Sequence, residues 1–239
     1  MNEKLIETFR LRISDYNCFD KLMPHAILDL FQDVAGKHAD IIGVGFDDLK
    51  KSNLIWVLVR TKFEIVRNPK LYEVVNVSTW PKKKGKIDFD REYLIEDNKG
   101  EVLVKGISKW VIVNSLTRRI CFARDINYNC DISPEENFSG NFDKLKDFDS
   151  DGSECYEAQT SYCDLDHNKH VNNISYAKMI MNAIQLDENE DIHFFEINYL
   201  KELPKNTKIN LYLKKDGKII LVKGIINGEV SFIAKIELY

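Results

Sequence analysis

The pattern of hydrophobic and polar residues divides the chain into two similar halves. In the first half, residues 26–42 place apolar side chains at the i, i+3, i+4, i+7 spacing of a helix that buries one face. Strand-like segments follow at residues 54–66, 73–80, 88–95 and 102–114. They are rich in β-branched and aromatic residues and are separated by turn-forming residues such as Asn-Pro and Asn-Lys-Gly. The first half is therefore predicted to contain a strand, one long helix and then about four antiparallel strands.

The second half repeats this order of elements. A strand-like segment precedes a polar stretch, residues 173–185 have the pattern of a second helix, and four further strands are predicted after it. Asp216-Gly217 and Asn227-Gly228 separate the last three strands, and both dipeptides are typical of type I′ hairpin turns. Because an antiparallel sheet with one solvated face needs a cover for the other, each helix is expected to cover one sheet. We predict an α+β fold in which two such units form a pseudo-dimer within one chain.

Residues 135–153 lie between the two halves and differ from both. They are acidic, contain Gly and Ser, and show no sustained periodicity, which is typical of a linker. The predicted organisation is an N-terminal unit at 1–134, a linker at 135–153 and a C-terminal unit at 154–239.

Composition narrows the class of protein. The 239 residues are 44% hydrophobic and 30% charged with a net charge of −4, an ordinary soluble composition that gives no case for nucleic-acid binding. No apolar run approaches the roughly 20 residues of a membrane-spanning helix, so membrane insertion is not expected. The N-terminus lacks the apolar core of a signal peptide, and we expect a cytoplasmic protein.

The cysteines argue against a disulfide framework and against a thiolate zinc site. They are odd in number, widely scattered and without a C-x-x-C pair: Cys18, Cys121, Cys130, Cys155 and Cys163. A single catalytic cysteine is left open by this pattern.

The sequence DLDHNKHVNN, residues 164–173, contains many charged and amide side chains directly before the second helix. One interpretation is structural, because Asn172 or Asn173 is a good N-cap residue. A second is a metal site with mixed nitrogen and oxygen ligands from His167, His170 and a neighbouring aspartate, although the spacing matches no metal-binding motif.

A third interpretation is a hydrolytic site. Asp166, Asn168 and His170 alternate, so in an extended conformation they would project to one side, with His167 and Lys169 pointing away. A carboxylate, an amide and an imidazole can orient a base, bind a carbonyl and transfer a proton. The N–H groups at the start of the following helix suit an oxyanion. The concentration of these groups at a helix terminus favours the hydrolytic interpretation.

The segment at residues 164–176 resembles a stretch of a known family. DLDHNKHVNN followed by ISY is similar to the D-L-D-x-N-x-H-V-N-N-x-x-Y stretch of plant and bacterial acyl-acyl-carrier-protein thioesterases. Residues 53–81 also resemble this family, and residues 108–120 are similar to its W-V-x-x-N-x-x-T-R-R segment. The resemblance implies a double hotdog fold that needs no metal or organic cofactor, with chemistry in the C-terminal unit and acyl-chain binding largely in the N-terminal one. The implied reaction is hydrolysis of a fatty acyl thioester to a free fatty acid.

The resemblance also implies the catalytic residues. The aspartate, asparagine and histidine of the family fall on Asp166, Asn168 and His170, and its Y-x-x-E glutamate falls on Glu202. Without the resemblance, Glu202 would be interpreted as a solvated surface residue beside lysines. Plant members carry a cysteine directly after this glutamate, where this chain has Leu203, so a carboxylate-assisted route is favoured.

Two further expectations concern the first half and the partner. By its distance to the first helix, Leu22 would stand where His170 stands in the second half, so the first half lacks the polar set. The implied partner is acyl carrier protein, which is acidic, so a basic docking segment is expected at residues 81–86 (PKKKGK) or at Arg118 and Arg119. The alternatives are an acyl-CoA thioesterase, a hotdog dehydratase or a non-catalytic acyl-thioester-binding module. A homodimer is possible in each case.

Overall fold

The computed structural model describes residues 3–127, 130–138, 142, 144–151, 154–167 and 169–239. The first half contains β1 (Leu5–Arg10), α1 (Pro24–Ile41), α2 (Phe46–Lys50), β2 (Leu54–Ile65), β3 (Val74–Pro81), β4 (Asp88–Asp97) and β5 (Val102–Asn114). The second half contains β6 (Glu154–Gln159), α3 (Asn173–Ile184), β7 (Ile192–Tyr199), β8 (Lys208–Asp216), β9 (Ile219–Ile226) and β10 (Glu229–Leu238). Short 3-10 turns lie at Ile13–Asp15, Ala123–Asp125 and Tyr162–Asp164.

Within the described residues the strands form one antiparallel sheet of ten, in the order β1-β3-β4-β5-β2-β7-β10-β9-β8-β6. The five strands of each half follow the same internal order, so the sheet has an internal twofold pseudosymmetry. The two predicted sheets lie side by side as expected, and they are continuous, because β2 pairs with β7 and joins the halves at the centre. The predicted helix-covered α+β unit is present in each half.

One hydrophobic core spans both halves. The buried face of α1 includes Ile27, Phe31 and Val34, and that of α3 includes Ala177 and Ile180. These helices also contact each other, so each helix packs on its own half of the sheet and on the other helix. Burial of these apolar faces is the main source of stability for helices of this length.

The predicted helix and strand bounds are close to those observed. The first helix begins two residues earlier than predicted because Pro24 occupies its first turn, where a missing N–H group costs nothing. The five-residue helix α2 was not predicted, since it is too short to show a period.

The two predicted hairpin turns differ from each other. Asn227 and Gly228 both have positive φ angles, of 50° and 78°, as a type I′ turn requires. In the other hairpin, Asp216 still pairs with Ile219, so the loop residues are Gly217 and Lys218. Only Gly217 has a positive φ there, which is the pattern of a type II′ turn rather than the predicted type I′.

The described part of the predicted linker packs against the rest of the chain. The indole N–H of Trp80 donates to the carbonyl of Glu135 at 3.0 Å, and the ring of Phe142 is buried beneath the ammonium groups of Lys62 and Lys109. Further on, the buried Lys223 pairs with Asp147 at 2.9 Å. These contacts hold the segment on the surface of the sheet, and the domain boundaries themselves stay a prediction.

Gly106 of β5 provides a test of this packing. A Cβ atom placed there would stand 2.3 Å from Cε2 of Phe31, which stacks on Tyr93. We expect Gly106→Ala to lower the free energy of unfolding by about 1–3 kcal/mol, because the aromatic pair must move. Urea unfolding measures this change.

Gly36 is the matched control for this substitution. It lies on the exposed face of α1, and a Cβ atom there would meet nothing within 4 Å. Gly36→Ala should therefore raise stability by about 0.5–1 kcal/mol through helix propensity. A Gly106→Ala protein as stable as the parent would contradict the packing of α1 described here.

Candidate active site

The polar loop, which we define as residues 164–173, is a tight turn and not an extended segment. The N–H of Asp166 donates to the carbonyl of His170 at 2.8 Å, and Leu165 and Val171 form a β-bridge outside these two residues. Lys169 reverses the chain with a φ of 66°. The expected alternation along an extended segment is therefore wrong, and Asp166 and His170 meet across a turn. Asn168, the predicted amide of the site, lies outside the described residues.

The Asp166 side chain helps to build this turn, since its Oδ1 accepts the N–H of His170 at 3.1 Å. The first half contains the same turn with an amide in this place: Oδ1 of Asn17 accepts the N–H of Lys21 at 3.0 Å. Matching β-bridges (Tyr16 to Leu22, Leu165 to Val171) show that Lys21 is the counterpart of His170. The expectation that Leu22 holds this place was wrong by one residue. An acceptor at position 166 is thus required by the turn itself.

The helix α3 starts directly after this turn. Oδ1 of Asn172 accepts the N–H of Ile174 at 3.1 Å, and the carbonyl of Asn172 accepts the N–H of Ser175 at 2.9 Å. The predicted capping role of Asn172 is confirmed, and Asn173 is the first helical residue. The cap therefore occupies the N–H groups of Ile174 and Ser175, which are two of those expected to suit an oxyanion. The N–H of Asn173 is not used by the cap.

Glu202 lies just beyond the end of β7 and is held by a residue from the other half. Its Oε1 stands 3.7 Å from Nδ1 of His170, and its Oε2 accepts a hydrogen bond from Nη2 of Arg118 at 2.8 Å. The side chains of His170 and Glu202 are 38% and 42% exposed. The neighbouring lysines are engaged elsewhere, Lys201 with Glu229 and Lys205 over the ring of Tyr162. The structure thus brings His170 against both Asp166 and Glu202, and the catalytic roles of these residues stay a prediction.

Arg118 reaches Glu202 from a turn built by Asn114. Oδ1 of Asn114 accepts the N–H groups of Leu116 and Thr117 at 3.1 and 2.9 Å, and its carbonyl accepts the N–H of Arg118. Arg118 has the left-handed φ of 58° that this turn needs. The N-x-x-T-R-R part of the sequence motif therefore encodes a turn that presents an arginine. From the sequence, Arg118 was expected only as a docking residue, because nothing local to it indicates a carboxylate partner.

Tyr176 is a second residue that sequence analysis did not single out, although the matched motif includes it. Its hydroxyl accepts the N–H of Leu203 at 3.0 Å, and its ring packs edge-on against Tyr199 and Phe232. Burial, with a smaller contribution from the charge of Glu202, raises the pKa of Tyr176 to about 12, so the phenol stays neutral. Leu203 is buried, with 2% of its surface exposed. Tyr176 therefore fixes the backbone directly after Glu202.

A cavity of about 480 Å³ extends from the polar loop into the first half. Asp166, His167 and Asn173 line one part of it, while α1, α2 and strands β2, β4 and β5 supply most of the rest. Among its aromatic walls are Trp56, Phe89 and Trp110. The ring of His167 packs edge-on against Phe46 at 4.2 Å, so the expectation that His167 points away from the site was wrong. His170 and Glu202 lie beside the cavity and are not part of its lining.

The third tryptophan, Trp80, is fully buried and does not line the cavity. In the described part of the chain, no three His, Cys, Asp or Glu side chains are grouped so as to hold a metal ion, and the five cysteines form no disulfide bond. None of the described helices is both long and apolar enough to cross a membrane.

The fold and the site define a double hotdog protein with a polar loop at the mouth of an apolar cavity. The same fold occurs in an acyl-ACP thioesterase from Bacteroides thetaiotaomicron, with a TM-score of 0.88 and 24% identity over 100% of this chain and 98% of that one. A 12:0-ACP thioesterase from Umbellularia californica has a TM-score of 0.84 and 23% identity, covering 99% of this chain and 97% of that one. The predicted double hotdog fold is confirmed.

Family models identify both halves. The model of the acyl-ACP thioesterase N-terminal domain matches residues 2–127, and that of the C-terminal domain matches residues 149–234. The chain belongs to the acyl-ACP thioesterase family.

Curated relatives from plants agree with this assignment. A chloroplastic palmitoyl-acyl carrier protein thioesterase of Gossypium hirsutum is 27% identical over 217 residues, 84% of this chain and 52% of that protein. A chloroplastic oleoyl-acyl carrier protein thioesterase of Coriandrum sativum is 30% identical over 195 residues, 74% of this chain and 53% of that protein. The chain spans about half the length of these relatives.

Substitutions at Asp166 separate its structural role from any chemical one. Asp166→Asn keeps an acceptor, as Asn17 does in the first half, and should change stability by less than about 0.5 kcal/mol. Asp166→Ala leaves the N–H of His170 without this acceptor and should cost about 1–2 kcal/mol in urea unfolding. An equal loss in both variants would show that the charge, and not the acceptor, maintains the turn.

Substitution of Tyr176 tests the anchor behind Glu202. Tyr176→Phe leaves the buried N–H of Leu203 without its acceptor, and we expect a loss of about 1–3 kcal/mol in the free energy of unfolding. Tyr162→Phe is the control, because Tyr162 is 76% exposed and its substitution should change the free energy of unfolding by less than about 0.5 kcal/mol. If both variants have the same free energy of unfolding as the parent, the hydrogen bond to Leu203 does not hold this segment.

Proposed function

We propose that the protein hydrolyses fatty acyl thioesters of acyl carrier protein, releasing a free fatty acid and the carrier thiol. The observation that carries this proposal is the apolar cavity that reaches the polar loop at Asp166, His167 and Asn173. Membership of the acyl-ACP thioesterase family supports the same activity. An apolar cavity beside a cluster of acid–base groups suits a substrate with a hydrocarbon chain and a reactive polar end.

The cavity is suited to the acyl chain. Its volume of about 480 Å³ lies within the range of roughly 300–1,000 Å³ that small-molecule pockets commonly have. Twenty of its lining residues come from the first half, and the second half contributes the three at the polar loop. The chain would therefore lie largely in the N-terminal half, with its thioester near the start of α3.

Glu202 and His170 are the base in the proposed mechanism. Their facing atoms are 3.7 Å apart, close enough to share a proton directly after a small movement or through one water molecule. The pair removes a proton from water as the water oxygen attacks the thioester carbonyl. A tetrahedral oxyanion forms and collapses, the carbon–sulfur bond breaks, and the departing thiolate takes the proton from the pair.

The oxyanion would be stabilised at the start of α3. The N–H of Asn173 is the first-turn donor that the Asn172 cap does not use, and Asn173 lines the cavity. A helix N-terminus with such a donor favours negative charge. Asp166 would hold His170 through the turn, and Asn168 keeps its predicted role of positioning the carbonyl or the water.

Acyl carrier protein is the proposed partner, and part of the predicted docking segment is already engaged. In residues 81–86, Lys82 pairs with Glu92 and Glu136, and Nζ of Lys84 donates to the carbonyl of Ile126. Arg119 and Lys169, which are both exposed, are therefore better placed to meet an acidic carrier as it delivers the thioester. A homodimer and a cytoplasmic location stay predictions, and the two curated relatives described above are chloroplastic by name.

An assay with matched acyl-ACP and acyl-CoA thioesters of several chain lengths tests the proposal. We expect hydrolysis with a preference for the carrier-protein thioester. His170→Ala and Glu202→Ala should each reduce turnover at least about a hundredfold, since acid–base groups commonly contribute that much. A strong preference for CoA would favour the acyl-CoA thioesterase, and binding without turnover would favour the non-catalytic module.

The chain contains a matched control pair outside the site. Nε2 of His193 stands 3.8 Å from Oε1 of Glu64, and these side chains are 37% and 36% exposed. His193→Ala and Glu64→Ala should keep turnover within about twofold of the parent. Near-normal activity of Glu202→Ala would show that another carboxylate acts.

A further inference from the structure

We propose that Arg118 is a positioning residue of the hydrolytic site, supplied by the first half to orient the catalytic carboxylate of the second. It holds one oxygen of Glu202, so that the other oxygen faces His170. This inference rests on the function proposed above and adds a residue to it.

The two oxygens of Glu202 have different neighbours. Oε2 accepts from Nη2 of Arg118 at 2.8 Å, while Oε1 faces Nδ1 of His170 at 3.7 Å. Glu202 is 42% exposed and follows a strand end, so its side chain would have rotational freedom without a partner. A charge-assisted hydrogen bond removes that freedom and fixes which oxygen is presented to the imidazole. An exposed pair of this kind adds little to stability, so its effect should appear in turnover.

The backbone that carries Arg118 is itself held in place. The turn is closed by the Asn114 side chain, by a β-bridge between Val113 and Ile120, and by the N–H of Ser115, which donates to the carbonyl of Asn53 at 2.8 Å. Asn53 directly precedes β2, so the turn is fixed to the strand at the centre of the sheet. A left-handed φ of 58° at an arginine is uncommon, and here it directs the side chain towards the second half.

Substitution of Arg118 by residues that accept this backbone tests the inference. Arg118→Asn removes the guanidinium and suits a left-handed φ, and we expect kcat on acyl-ACP to fall about tenfold with KM within about twofold. Arg118→Lys keeps the charge and should recover part of that loss. Arg124→Asn is the control. This arginine is 80% exposed, its guanidinium interacts with Asp125 and Phe122, and its substitution should leave kcat unchanged.

A double-mutant cycle with Glu202→Gln separates orientation from docking. If Arg118 acts through Glu202, adding Arg118→Asn to Glu202→Gln should lower single-turnover rates by less than about twofold. The inference is overturned if Arg118→Asn retains the parent kcat, if it raises KM alone, or if its full loss persists beside Glu202→Gln. The midpoint of thermal unfolding of each variant must lie within about 2 °C of that of the parent. The inference is also overturned if Arg118→Asn has a lower midpoint and regains its activity on cooling. Failure of the proposed function would appear differently, as a parent protein without hydrolysis or a fully active His170→Ala variant.

Discussion

The pairing of β2 with β7 is the interaction on which the rest of this structure depends. It runs from Arg60 opposite Asn198 to Glu64 opposite Phe194, and the rings of Phe63 and Phe195 stack across it at 5.2 Å. Because β5 and β7 are both antiparallel to β2, they run parallel to each other and end at the same edge of the sheet. The turn after β5 and the segment after β7 are therefore brought together by backbone pairing alone. That edge is where a guanidinium from one half meets a carboxylate from the other.

The duplicated turn before each long helix shows how one backbone serves two purposes. Asn17 and Asp166 each accept the N–H four residues ahead, so the acceptor is required by the turn in both halves. The difference lies in the residue at the far side of the turn. Lys21 pairs with Asp191 at 2.8 Å, a contact between halves, whereas His170 faces Glu202. The first half thus uses the turn for assembly, and the second half presents an imidazole from it.

Periodicity was sufficient to locate the two long helices and the strands that follow each of them, because each buries one face along its length, and α3 begins at the predicted residue. It could not show that the two sheets are joined, since strand pairing depends on residues far apart in the chain. The site was harder to predict from the sequence for the same reason. Arg118 and Glu202 are separated by 84 positions, and no local pattern links them. Glu202 was reached only through the family resemblance, and His167 was misplaced because its neighbour Phe46 belongs to an unpredicted helix.

The segment after β7 also limits the chemistry that the site can perform. Leu203 is buried against the core while its N–H is held by Tyr176, so position 203 faces inward and Glu202 faces the polar loop. Leucine has no nucleophilic atom, and its burial leaves no room for solvent at that point. Beside the loop, the Glu202 carboxylate faces the His170 imidazole, and both groups can transfer protons. In the proposed hydrolysis this pair activates water, while Arg118 holds one carboxylate oxygen and leaves the other facing the imidazole.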